Sequence, residues 1–181
     1  MSIGGNGSWY ASGYGGVGYV NSFTNSIVNT VYVFSDNLAK TARYIGEAAS
    51  HEAGHTLGLY HDGQDPTTEY YQGHGNWAPI MGVGYYKQLT QWSQGEYADA
   101  DNQNDDLAMI ADSVGGGFRT DDHGDATGSA SALTANGSIL SGEGIIERTT
   151  DVDTFVFTIG AGTVSLSIDP ASWGSVRGAY R

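Results

Sequence analysis

Residues 41–62 read TARYIGEAASHEAGHTLGLYHD, and their spacing organises the rest of the chain. Tyr44, Ala48, His51, His55 and Leu59 recur at helical intervals in a stretch without proline, which predicts a helix over about 41–57. Gly58 is a natural stop, because glycine takes the left-handed conformation at a helix end without steric cost. Inside the helix, His51-Glu52-Ala53-Gly54-His55 sets two imidazoles one turn apart on one face with a carboxylate between them. His61 follows on the far side of the break at Gly58, which completes the string H-E-x-x-H-x-x-G-x-x-H. Three imidazoles converging in this pattern make His51, His55 and His61 candidate ligands of one Zn2+ ion. Three protein ligands leave a fourth position open, as in catalytic zinc sites. Water there would ionise near neutral pH, and Glu52 would take its proton during attack on a carbonyl. The bland alternative is a helix with two surface histidines and a third placed by chance.

Outward from this helix the pattern changes on both sides. Residues 1–16 read as loop, Val17–Phe23 alternates weakly, and Val31–Phe34 is a better strand. Residues 60–88 are dense in glycine and carry Pro66 and Pro79, which predicts a long turned loop. Helical spacing returns at Asn104–Val114, with Asn104 as candidate N-cap and Asp105 and Asp106 at the positive end of the helix. Gly115–Gly117 reads as a boundary. Beyond it, Ile145–Ile146, Asp153–Ile159 and Thr163–Ile168 are candidate strands in Thr-, Ser-, Gly- and Asp-rich sequence. The expected fold class is therefore α+β for 1–117, followed by an all-β module at 118–181.

Composition limits the partners. The chain has 181 residues, 28 of them glycine, and a net charge of -13 with only 7 Lys and Arg. A nucleic-acid partner needs clustered cations that this chain lacks, and an anionic membrane surface would repel it. No apolar run is long enough to span a membrane. The absence of cysteine rules out a disulfide framework and thiolate metal ligation. The acidity suits either plain solubility or Ca2+ binding. The opening residues, MSIGGNGSWYASGYGG, lack the basic and apolar regions of a signal peptide.

The stretch HEAGHTLGLYHD resembles the active-site helix and turn of the metzincin metallopeptidases. Asp62, directly after the third histidine, is similar to the adamalysin (reprolysin-like) branch. That resemblance implies that Asp62 steadies the turn without touching metal; a cap on the Gly63 turn is a compatible reading. Ala78-Pro79-Ile80-Met81-Gly82 occupies the place of the metzincin methionine turn. Met81 would then be a hydrophobic floor for the histidines, the alternative being an ordinary core methionine. Val83 stands where some branches carry a tyrosine, and Tyr85 and Tyr86 lie further along. Tyr85 and His74 are candidate cleft residues, with an exposed loop histidine as the alternative for His74.

The region from Glu47 to Ala111 resembles secreted bacterial reprolysin-like peptidases. DDHGDATGSASAL at 121–133 and DVDTFVFTIGAGTVSLSIDPA at 151–171 resemble the start of a bacterial pre-peptidase C-terminal domain, a small β-sandwich. Asp121, Asp122, Asp125, Asp151 and Asp153 are either oxygen donors for Ca2+ or solvated turn carboxylates. Together these resemblances imply a secreted zinc metalloendopeptidase acting on a protein or peptide substrate. Its metzincin-like catalytic domain would lie at 1–117 and a partial β-sandwich module at 118–181. A metzincin places a sheet and an earlier helix ahead of its zinc helix. Only 50 residues precede His51, so that part is expected to be incomplete, and 173–181 (WGSVRGAYR) does not continue the β pattern. The alternatives are a truncated or inactive zinc-binding fragment, a zinc hydrolase of another bond, or an adhesion or secretion module with a vestigial peptidase domain.

Overall fold

The computed structural model describes residues 1–65 and 67–169, and the backbone of Ser172–Trp173 and Val176–Arg177. It is a small mixed α/β protein with few helices and small sheets. The chain divides into two compact units between Gly117 and Phe118.

In the first unit, β1 (Ser2–Ile3) and β2 (Gly16–Val17) flank β3 (Tyr32–Val33), parallel to β1 and antiparallel to β2. β1 lies in a segment expected to be loop. Of the strand expected at 17–23 only Val17 is paired; Ser22–Thr24 is instead a short 3-10 turn. The weak alternation there had no second partner strand to make it a ladder. Helix α1 (Ala42–Thr56) packs on this sheet. Val31, Val33, Leu38 and Ala48 form the buried cluster between them, with Tyr44, Ile45, Ala49 and Tyr85 packed against it. Removing such a cluster from water is the main favourable term for a unit this small.

Helix α1 ends where the sequence predicts. Gly58 has φ 103°, and its N–H bonds the His55 carbonyl while the Leu59 N–H returns to Gly54. The following loop is more ordered than its glycine content suggests. β4 (Trp77–Pro79) pairs in parallel with β5 (Leu89–Gln91), and the Trp77 indole donates to Gln91. Tyr71 stacks on Tyr97 with ring centroids 4.0 Å apart.

Helix α2 spans Asp106–Ser113. Its N-cap is Asp105, not Asn104: the Asp105 carboxylate accepts from the Ala108 N–H at 3.1 Å. Asp106 turns inward. Its main-chain N–H donates to the Ser93 carbonyl, and its carboxylate accepts from the Ser93 N–H at 2.9 Å. The Ser93 hydroxyl donates to Asp62 at 2.6 Å, so one serine links the turn after α1 to the start of α2. The Ser113 hydroxyl closes the other end on the Leu57 carbonyl.

The second unit carries β6 (Ser131–Ala132), β7 (Thr134–Asn136), β8 (Ile139–Ser141) and β9 (Phe155–Val156). β6 pairs in parallel with β9, and β7 and β8 form a hairpin whose two-residue turn opens with Gly137 at φ 63°. Within Asp153–Ile159 only Phe155–Val156 is strand, and neither Ile145–Ile146 nor Thr163–Ile168 is. Alternation makes a segment able to pair, but a strand also needs a neighbour, and these have none among the described residues. Leu166 and Ile168 are accordingly exposed. In the 173–181 segment, β10 (Ser172–Trp173) and β11 (Val176–Arg177) pair antiparallel; the remainder lies outside the described residues. Among the described residues no helix is long and apolar enough to cross a membrane.

Burial pushes the Asp106 carboxyl up to about 7, with the charge of Asp62 adding to the rise. A carboxyl that holds its proton longer when folded than at its ordinary value near 3.8 costs stability as pH rises through that interval. Asp106→Asn keeps an acceptor for Ser93 and removes the ionisation. In chelator-treated protein, the melting temperature of this variant should gain on wild type steadily from pH 4 to pH 7. A difference that stays flat across that range would refute the buried-carboxylate account.

Candidate metal centre

Residues 51 and 55 share the buried face of α1 because they are four apart, and the turn at Gly58 brings residue 61 back beside them. The ring centroids of His55 and His61 are 4.8 Å apart, those of His51 and His55 4.8 Å, and those of His51 and His61 5.3 Å. One ring nitrogen from each lies within 4.8 Å of the others, so the three histidines can hold a single metal ion.

Their hydrogen bonds determine which nitrogens face inward. His51 Nδ1 is 2.8 Å from the Ile80 carbonyl, and His55 Nδ1 is 2.8 Å from the Leu59 carbonyl. His61 Nδ1 is 2.9 Å from Glu69 Oε1. All three partners are acceptors only, so each Nδ1 must carry the proton. In a neutral ring that leaves Nε2 as a lone pair. His55 Nε2 and His61 Nε2 nevertheless face each other at 3.1 Å. Two lone pairs at that distance repel unless a cation or a proton lies between them. Burial disfavours the proton: it lowers His51 to about 3, helped by the charges of His55 and His61, and it also lowers His55 and His61. The donor set therefore fits a divalent ion.

Met81 is fully buried beneath this helix. A Cβ on Gly54 would lie 2.7 Å from its sulfur, so a side chain there would collide with the methionine. The same turn supplies the Ile80 carbonyl to His51, and the Met81 carbonyl accepts from the Asp62 N–H at 3.0 Å. The turn thus braces both the helix and the returning chain. Asp62 is 1% exposed and its carboxylate accepts from Ser93 and from Asn102 at 3.2 Å. Its carboxylate does not join the three imidazoles that could share an ion. The Gly63 N–H, for which an Asp62 cap was the alternative reading, is taken by Asp101 at 2.8 Å; Asp62 bonds Ser93. Burial raises Asp62 to about 6.

A cavity of about 550 Å³ opens on the three histidines. Glu52 and Tyr85 line it, as do Tyr10, Tyr14, Tyr60 and Tyr70. His74 does not: it is exposed, its main chain pairs with Trp77, and its Nδ1 meets the Tyr71 hydroxyl at 3.0 Å. Of the two readings of His74, the exposed loop histidine is the one this placement fits.

Glu52 faces the cavity from under β2. Burial raises its carboxyl to about 7, while a hydrogen bond from the Gly18 backbone opposes the rise. A Cβ on Gly16 would stand 2.7 Å from Glu52 Cγ and 3.0 Å from its Oε1, and one on Gly18 would strike the Glu52 carbonyl. The glycines at 16 and 18 are what let β2 lie this close. The clustering of glycine at 15–18 was visible in the sequence, but its partner was not. Glu69 and Tyr70 had no local signal at all. The Tyr70 ring lies 4.2 Å from that of His61, and burial with the charges of Glu69 and Glu52 pushes its hydroxyl up to about 12.

In the second unit, Asp121, Asp125 and Asp151 each bring an oxygen within 4.8 Å of the others, as do Asp121, Asp122 and Glu147. Asp153 belongs to neither group; it lies beside His123 and the Gly144 backbone. No family model matches the chain, and no curated protein and no solved structure matches it.

Proposed function

We propose that this chain is a secreted zinc metalloendopeptidase of the metzincin type that hydrolyses peptide bonds in protein or peptide substrates. The observation that supports it is one cavity holding three inward Nε2 lone pairs and the Glu52 carboxylate. Three imidazoles with an open fourth position match the layout of catalytic zinc sites, and imidazole is a ligand that suits zinc. When bound, zinc supplies an acidified water and polarises a carbonyl oxygen.

The chain's own residues do the rest. Glu52 takes a proton from the attacking water and returns it to the leaving amine, a task suited to a carboxyl that titrates near neutral pH. The Gly18 N–H and the bare backbone at Gly16 hold that carboxylate against β2. Tyr10, Tyr14 and Tyr85 form cavity walls with no cationic side chain among the lining residues.

Purified protein should contain about one zinc per chain and hydrolyse a casein-like substrate, with activity lost to a chelator. Glu52→Gln should keep the zinc and lower kcat by roughly 10²- to 10⁴-fold. Zinc bound by wild type without turnover would instead favour a non-catalytic zinc-binding fragment. Gly18→Ala offers a separate check on the seat of Glu52. Metal content should remain at one equivalent while kcat falls on the order of 10²-fold, because a small misplacement of a reacting group is that costly. Full activity in this variant would show that the contact with β2 is incidental.

A further inference from the structure

We propose that Glu69 is the positioning residue for the third metal ligand: its carboxylate holds the His61 ring in the orientation that turns Nε2 inward. The inference rests on the three-histidine site being a metal centre.

The three rings are secured in different ways. His51 and His55 stand on α1, and each gives its Nδ1 proton to a main-chain carbonyl, Ile80 and Leu59. A carbonyl set by the fold cannot leave without local unfolding. His61 is off the helix, beyond Gly58, and its Nδ1 partner is a side chain, Glu69 Oε1 at 2.9 Å. The Glu69 side chain is 68% exposed, and that of His61 27%. The Asn102 side-chain amide donates to the His61 carbonyl at 3.3 Å, which holds the His61 backbone but not the rotation of its ring about the side-chain bonds.

Two features make Glu69 the restraint on that rotation. Gln64 and Thr68 exchange N–H···O bonds of 2.7 and 3.1 Å, a closed bridge that delivers Glu69 to the edge of the ring. Tyr70, the next residue, lies over the ring face at 4.2 Å and 41°. Edge and face are thus held by adjacent residues of one loop. A charge-assisted bond to a ligand imidazole both orients the ring and makes it a better donor, and losing such a partner typically weakens metal binding about 10- to 100-fold.

The test is metal affinity of the full chain, read by competition of Co2+ and Zn2+ against a chromophoric chelator, with the visible spectrum of the Co2+ form as second readout. Glu69→Ala should bind about 10- to 100-fold more weakly than wild type, with an altered Co2+ spectrum and unchanged melting of the metal-free protein. Asp65→Ala removes an equal charge from the same loop and should bind as wild type does. Glu69→Ala within about twofold of wild type would overturn the proposal, as would equal weakening in both variants, which would mean a general field effect. Wild type that takes up neither ion would overturn the metal-centre reading itself, and this inference with it.

Discussion

Three imidazoles share one cation best when their other nitrogens are already committed, because that fixes each tautomer and ring orientation. Here two main-chain carbonyls and one carboxylate take the three Nδ1 protons, and the Nε2 lone pairs have nowhere to point but at each other. The rest of the first unit can be read as support for those three bonds. The Ile80 carbonyl is in place because β4 runs into the turn at Met81, and the Ile80 N–H is bound to Gln91 of β5. The Leu59 carbonyl is in place because Gly58 turns the chain left-handed at the end of α1.

Behind the histidines lies a second, purely structural layer. Asp62, Ser93 and Asp106 connect the turn after α1 to the start of α2 through short hydrogen bonds in a buried setting. Burial raises the proton affinity of both carboxyls, and the charge of Asp62 adds to the rise at Asp106. One Asp106 oxygen has no hydrogen-bond partner among the described residues, so its ionised form is poorly served there. This arrangement trades stability at neutral pH for a rigid link between two elements that both bear on the site.

On the other side, β2 comes against Glu52 only because three of the four residues at 15–18 lack a side chain. Close approach of backbone to a carboxylate both dries it and gives it an N–H to accept, and these effects pull its acidity in opposite directions. Burial is the larger here, which leaves Glu52 titrating near neutrality. The tyrosines around it add shape and weak donors without adding positive charge.

Much of the site was legible in the linear chain. Helical spacing places His51, Glu52 and His55 on one face, and a glycine before His61 permits the return; both follow from backbone geometry that any sequence carries locally. Met81 and Asp62 were legible only through resemblance, and the partner of the Gly63 N–H was not legible: it is Asp101, from a distant segment. The strands of the second unit were poorly legible, because alternation says that a segment can pair and not with what. What only the tertiary structure decided are the contacts between distant segments: β2 on Glu52, Ile80 on His51, Ser93 between two aspartates, and Glu69 on His61. Those depend on loop closure and on which surfaces meet, and no local periodicity encodes either.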